Sequence, residues 1–193
     1  VDFGLVGRDG TVLGNPVHYR DKRNDGMQEY AFQKVPRAEV YKATGIQFLP
    51  FNTVYQLLSL VKNGSPLLEV ADTMLMMGDL FGYLLSGQRA CEYTNASTTQ
   101  LLDPFKRTWN EELIARLGLP RNLLLEPVPP GTILGPILPD IAAQTGISPK
   151  TPIIAPGTHD TASAVASVPV APDAQNWAYL SSGTWSLLGA ELD

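Results

Sequence analysis

Asp160 stands in the run Gly157-Thr158-His159-Asp160-Thr161-Ala162-Ser163, just past the apolar stretch Ile153-Ile154-Ala155 and a Pro156-Gly157 turn. A carboxylate there has two uses. It can accept a hydroxyl proton while the oxygen attacks an electrophile, or it can cap the helix that the following small residues favour. The location suits a ligand, because in open α/β sheets the crevice lies beyond a strand's carboxyl end. His159 is either a packed, hydrogen-bonded ring or a proton shuttle. Ser181-Ser182-Gly183-Thr184 gathers hydroxyls and a glycine in one turn. Such a turn either points several donors at an anion such as phosphate or simply closes a hairpin; it is neither a Walker loop nor a dinucleotide fingerprint. Thr94-Asn95-Ala96-Ser97-Thr98-Thr99-Gln100 reads as a polyol contact or as a capped helix start. Tyr19, Arg20 and Asp21 read as sugar hydrogen-bonders or as a surface turn. Gln47 and Asn52 flank Phe48-Leu49-Pro50-Phe51, and amides beside aromatics suit a sugar pocket or a core loop equally well.

The elements that must hold these residues can be read from pattern. Val1 to Val6 is strand-like, Asp9-Gly10 is a turn, and Thr11-Val12-Leu13 is expected as its hairpin partner. Pro36 and Gly45 bracket one helix. Asn52 is placed to cap a second over Thr53 to Lys62, where Val54, Leu57, Leu58 and Val61 share a face. Leu67 to Ala71 restarts a helix after Pro66, and Asp79 is expected to cap Leu80 to Ser86. Thr108-Trp109-Asn110-Glu111 reads as a capping box for Leu113 to Leu117, ended by Gly118. Thr132 to Leu134 and Pro152 to Ala155 read as strands around a helix from Pro139 to Thr145, and Asp160 to Ser167 as a small-residue helix. Val168-Pro169-Val170-Ala171-Pro172 is the best linker, followed by two strands, Trp177 to Leu180 and Trp185 to Leu188. Strands mixed with helices give an α/β class. The division expected is a domain over 1–168, with 169–193 a linker and the opening of another.

Composition narrows the partners. The chain has 14 Lys and Arg against 19 Asp and Glu, a net charge of -5. That balance gives no electrostatic footprint for nucleic acid or an anionic membrane. Cys91 stands alone, so neither an internal disulfide nor a cysteine zinc cage can form, and it reads as a small packed hydrophobe. No apolar run reaches the ~20 residues a membrane helix needs, and no signal peptide is visible, so the compartment expected is the cytoplasm. The pattern specifies no oligomeric state. The chain opens directly on a strand with no initiator Met and stops just after another. Both ends read as cut from a longer chain.

Several runs together resemble one family. They are Val1-Asp2-Phe3-Gly4-Leu5, Asn15-Pro16-Val17-His18-Tyr19-Arg20-Asp21, Thr44 to Thr53, Glu92 to Leu101, His159 to Val165 and Leu180 to Leu187. In this order, and spread over the whole chain, they resemble the FGGY carbohydrate kinases. The likeness is closer to the rhamnulokinase branch than to the xylulose, glycerol or fucose kinases. The resemblance implies two ribonuclease-H-like domains (the actin and hexokinase type) around a cleft, with sugar mainly on the first and ATP mainly on the second. It implies ATP- and Mg²⁺-dependent phosphorylation of L-rhamnulose to L-rhamnulose 1-phosphate in L-rhamnose catabolism. By the same resemblance Asp160 falls on the catalytic base, and His159, Asp160 and Thr161 fall on the sugar-contact segment. Thr184, with Gly183 beside it, falls on an ATP contact. Arg20, Gln47 and Asn52 are further candidate sugar contacts, and no residue is a candidate metal ligand. The family's first phosphate hairpin, which also serves magnesium, would precede Val1, and most of the adenosine pocket would follow Asp193. Residues 1–193 alone are therefore expected to be inactive. The competing expectations are an FGGY kinase for a related ketose and a non-catalytic sugar-binding module.

Overall fold

The first strand, β1 (Phe3–Gly7), is buried along its whole length. A strand with no solvent face needs a partner of equal length and apolarity, and Thr11-Val12-Leu13 is too short to be one. In the computed structural model, which describes residues 1–171, 173–183 and 186–190, that run closes only a single bridge, Val6 to Val12. It is backed by two bonds, from Leu13 N to the Leu5 carbonyl at 2.8 Å and from Gly7 N to the Thr11 carbonyl at 2.9 Å. Gly14, at φ 77°, then turns the chain away. The true partner is β2 (Ala71–Met76), paired antiparallel from Phe3 against Met76 to Gly7 against Ala71, with an irregularity between Val6 and Gly7.

Six helices lie between residues 27 and 96. They are α1 (Met27–Lys34), α2 (Arg37–Thr44), α3 (Thr53–Lys62), the single turn α4 (Leu67–Val70), α5 (Met77–Ser86) and the short α6 (Tyr93–Ala96). Helix α3 is central, with eight consecutive residues, Thr53 to Leu60, buried. Its polar members Thr53 and Gln56 donate to backbone carbonyls, while Gln56 Oε1 is buried with no partner among the described residues. Thr53 Oγ1 and Gln56 Nε2 both donate to the Val1 carbonyl, at 2.8 and 2.9 Å, which pins the entry to β1 against the helix. Tyr55, Leu57 and Leu58 join Leu101, Ile114, Leu117 and Leu123 in the main core. Each full aliphatic burial of this kind contributes about 1.5–3 kcal/mol.

A two-residue ladder, β3 (Leu102–Asp103) with β4 (Thr108–Trp109), precedes α7 (Glu111–Leu117). The cap of α7 is Asn110, whose side chain accepts from Leu113 N at 2.9 Å. Thr108, the expected cap, belongs to β4 instead. Gly118 closes the helix in the left-handed region, as expected. Strand β5 (Thr132–Pro136), helix α8 (Pro139–Thr145) and strand β6 (Pro152–Ala155) match the expected pattern, and the two strands pair antiparallel. Helix α5 packs against both hairpins and joins them. The chain then runs through 156–159 into α9 (Asp160–Ala166) and ends in the antiparallel hairpin β7 (Ala178–Ser182) and β8 (Ser186–Ala190), which contacts α9. The α/β character expected is what the chain shows, built among the described residues on four two-stranded sheets. Among the described residues no helix is long and apolar enough to cross a membrane.

Candidate functional site

Asp160 opens α9 at the end of the loop that leaves β6, and its side chain is exposed. It does not cap its helix in the expected way. Its Oδ1 accepts from the backbone N–H of Thr161 at 2.7 Å and from the Thr161 hydroxyl at 3.4 Å. Its Oδ2 has no hydrogen bond among the described residues, so one oxygen is oriented while the other faces outward. His159 occupies the cap position without a side-chain cap bond and is half-buried. Burial lowers the affinity of its ring for a proton; the charges of Asp160 and Glu92 oppose this only in part.

The loop carrying Asp160 is held from behind by a side chain that the sequence pattern did not single out. Glu92 is fully buried. Its Oε1 accepts from Thr94 N at 2.7 Å. Its Oε2 accepts from the Thr94 hydroxyl at 2.5 Å, Asn95 N at 3.2 Å, Thr158 N at 3.0 Å and the Thr158 hydroxyl at 2.9 Å. Burial alone would raise the pKa of this carboxyl, but the donations from Thr94 and Thr158 prevail and hold it below the usual range. Thr94 Oγ1 in turn accepts from His159 N at 3.2 Å. Two residues before Asp160, then, the backbone is bound to a buried anion.

Asp79 supports Glu92 from α5. Expected as a cap, it lies inside the first turn of a helix that begins at Met77, and its Oδ1 accepts from Glu92 N at 3.0 Å. Its Oδ2 is buried with no partner among the described residues. Burial pushes the Asp79 carboxyl up to about 7, with the nearby charge of Glu92 adding to the rise. One residue earlier, Gly78 leaves the room that Thr158 occupies. A Cβ at position 78 would lie 2.6 Å from Thr158 Cγ2 and 2.7 Å from its Cβ.

Arg20 is exposed and lines a cavity of about 530 Å³ with Tyr19, Asn24, Gln28 and Phe51. The Tyr19 and Phe51 rings lie 5.3 Å apart across it. Beneath it Asn24 donates its side-chain amide to the Tyr19 carbonyl at 2.8 Å, which holds the Tyr19–Arg20 turn in place. Gln56 Nε2 donates both to the Phe51 carbonyl, at 3.0 Å, and to that of Val1, so one buried amide links the wall of this cavity to the residues that lead into β1.

Gln47 does not join Arg20. Its side chain is exposed in a second cavity of about 510 Å³, with Arg37, Tyr41, Gly45 and Phe48. Asn52 is 2% exposed and donates its amide to the Gln47 carbonyl at 3.0 Å, which ties the loop that borders both cavities. The hydroxyls of Ser97, Thr98 and Thr99 donate back to carbonyls of their own turns at 2.6–2.7 Å. Gln100, in the left-handed region at φ 64°, donates to the Ile46 carbonyl at 3.0 Å and accepts from the Tyr55 hydroxyl at 2.8 Å. The 94–100 stretch thus follows its capped-turn reading. Cys91 is buried, and burial raises its thiol pKa, as suits a packed hydrophobe. Gly183 lies exposed at the tip of the β7–β8 hairpin, and Thr184 lies outside the described residues.

Glu92 escaped the sequence pattern because glutamate is not a favoured cap. It nevertheless caps α6 through its side chain, accepting from Thr94 N and Asn95 N. The available signal was a lone acid between Ala90-Cys91 and Tyr93, two residues before a threonine.

Comparison with known proteins places this geometry among relatives. The profile of the FGGY family of carbohydrate kinases, N-terminal domain, matches residues 2–167. The chain is 46% identical over 193 residues to a rhamnulokinase of Pectobacterium atrosepticum, covering 100% of this chain and 37% of that protein. It is 42% identical over 191 residues to a rhamnulokinase of Oceanobacillus iheyensis, covering 99% and 40%. The chain therefore spans well under half the length of these curated relatives. Among solved structures it resembles gluconate kinase from Lactobacillus acidophilus, with a TM-score of 0.72 and 22% identity, covering 80% of this chain and 32% of that one. It resembles xylulose kinase from Rhodospirillum rubrum equally, at 0.72 and 19% identity, covering 81% and 32%. At these identities the likeness concerns the fold.

Proposed function

The chain belongs to the FGGY family of carbohydrate kinases, and from that premise we propose that it forms the sugar-binding part of a rhamnulokinase, with Asp160 as general base. The reaction is transfer of the γ-phosphoryl group of ATP to the primary hydroxyl of L-rhamnulose, in L-rhamnose catabolism. The observation that carries the reading is the state of Asp160. One carboxylate oxygen is fixed by Thr161 and the other is open, on a loop anchored to a buried anion. An oriented, exposed carboxylate can bind a hydroxyl and take its proton as the oxygen attacks.

The balance is simple. The hydroxyl proton goes to Asp160, the sugar oxygen bonds to the γ-phosphorus, and the bridge to the β-phosphate breaks to release ADP. Such transfers depend mainly on positioning and on electrostatic stabilisation. His159, uncharged at neutral pH because of its burial, can hydrogen-bond the sugar without competing for the proton. Thr161 holds the base. Arg20 and the Tyr19–Phe51 pair offer donors and apolar faces to the body of the ketose, and Gln47 and Asn52 shape the loop beside it. Gly183, with Thr184, is assigned to ATP; Gly183 is exposed beside the serines that end β7, and hydroxyls and a glycine in one turn suit phosphate oxygens.

Magnesium accompanies ATP in this proposal. The described residues hold no group of three His, Cys, Asp or Glu side chains that would grip a metal ion by themselves. Residues 1–168 are proposed as the sugar domain and 169–193 as the linker and first hairpin of a nucleotide domain. The family match ends at residue 167, which supports that boundary. The setting proposed is the cytoplasm.

A panel of sugars tests the reading in the kinase at its relatives' full length, with ADP release as readout. The expected result is a kcat/KM for L-rhamnulose at least about tenfold above D-xylulose and glycerol, a ratio that ~1.4 kcal/mol of differential transition-state binding would supply. Preference for another ketose would reassign the substrate. Sugar binding without ADP release would make the chain a binding module.

A further inference from the structure

We infer that Glu92 is a positioning residue for phosphoryl transfer, acting through the Thr158 hydroxyl to set the place of Asp160. The inference rests on the proposed role of Asp160. Glu92 touches no solvent, so it does not meet substrate directly. It collects five hydrogen bonds from two segments that are 66 residues apart in sequence, α6 and the loop after β6. A fully buried carboxylate is costly unless every lone pair is engaged. Here two of the five donors come from Thr158, the residue before His159. Thr94 closes the link by bridging Glu92 Oε2 to His159 N.

The seat is closed on its other side as well. Gly78 on α5 lies against the Thr158 methyl group, and Asp79 on the same turn accepts from Glu92 N. Thr158 is therefore held by its hydroxyl to Glu92 and by its methyl to Gly78. Of these two side-chain arms only the hydroxyl belongs to the positioning path, beside the backbone N–H of Thr158, whose 3.0 Å bond to Glu92 both substitutions keep, and the two arms can be separated by substitution. Thr158→Val keeps the methyl and loses the donor, whereas Thr158→Ser keeps the donor and loses the methyl. Glutamine at position 92 would set an amide NH₂ among groups that are all donors, so Glu92→Gln is disruptive despite its size.

The test is steady-state kinetics in the full-length kinase, measured well below each variant's melting temperature. Thr158→Val is expected to lower kcat by about tenfold or more, because a displacement near 1 Å of a reacting group can cost up to ~10²-fold. The KM values for sugar and ATP should stay within about threefold, since a transition-state interaction is lost and uniform binding is kept. Thr158→Ser should restore kcat to within about threefold of the parent. Two results overturn the inference. One is a Thr158→Val enzyme with kcat within about twofold of the parent. The other is equal loss in the valine and serine variants, which would assign the effect to packing against Gly78. Should Glu92→Gln fail to fold, the Thr158 pair still decides. Asp160→Asn, run alongside, separates the two levels. If it retains turnover, the proposed base is wrong; if it is inactive while Thr158→Val is not, only the role of Glu92 falls.

Discussion

Helix propensity and the local geometry make opposite forecasts for Gly78→Ala. Gly78 sits inside α5, where alanine normally stabilises by roughly 0.5–1 kcal/mol. Here the new Cβ would lie 2.6 and 2.7 Å from Thr158 carbons, against a carbon–carbon optimum of about 3.5–4.0 Å. Relief needs a shift of about 1 Å, and such a shift would stretch both bonds from Thr158 to Glu92, now 3.0 and 2.9 Å, beyond hydrogen-bond range. Bonds to a charged acceptor are worth about 1.5–3 kcal/mol each, less what water restores at a half-buried threonine. Allowing for the helix gain, the net loss is about 2–4 kcal/mol. For a chain of this size that lowers Tm by roughly 5–15 °C. Thermal unfolding followed by far-UV circular dichroism measures it. Repeating Gly78→Ala in a Thr158→Gly background should abolish most of the loss, as expected for two residues in contact. A Gly78→Ala chain as stable as its parent, or more so, would refute the packing of Thr158 against α5 and the anchoring built on it.

Asp79 predicts a pH dependence. Its carboxyl titrates near 7 when folded and near 3.8 when unfolded, so between those values the folded chain holds a proton that the unfolded chain has released. Stability therefore falls as pH rises through that window; melting curves at pH 5 and pH 8 should show the lower Tm at pH 8, with the difference reduced in Asp79→Asn. Asn110→Ala removes the cap bond to Leu113 and should cost about 1 kcal/mol, or roughly 2–4 °C in Tm, by the same measurement. Residues 1–193 alone should release no ADP from ATP and L-rhamnulose in a coupled assay, and detectable turnover would overturn the assignment of ATP binding to a further domain.

Elements with their own punctuation were legible in the sequence. The α8 unit between β5 and β6, the α9 helix, the β7–β8 hairpin and the glycine end of α7 all follow from caps, prolines and glycines close by in the chain. The partner of β1 was not legible, because pairing between residues 3–7 and 71–76 leaves no local trace. The run from 71 to 76, which contains Asp72 and Thr73, also borders helices on both sides, which hides its period. The site divides in the same way. Asp160, His159 and Thr161 stand out as a run, but the buried carboxylate behind them comes from 66 residues upstream of Thr158 and reads in sequence as an ordinary acid. Gln47 and Asn52 looked alike on paper. Folding exposes the first and buries the second, with the Asn52 amide bonded to the Gln47 carbonyl.

The central claim is that the open oxygen of Asp160 takes the sugar's proton. Single-turnover phosphoryl transfer in full-length enzyme, parent against Asp160→Asn, measures that step with sugar binding followed separately by calorimetry. The account predicts a rate lower by about 10²–10⁴ with sugar affinity changed only a few-fold. A rate within about tenfold of the parent would contradict it, because a general base contributes more than that.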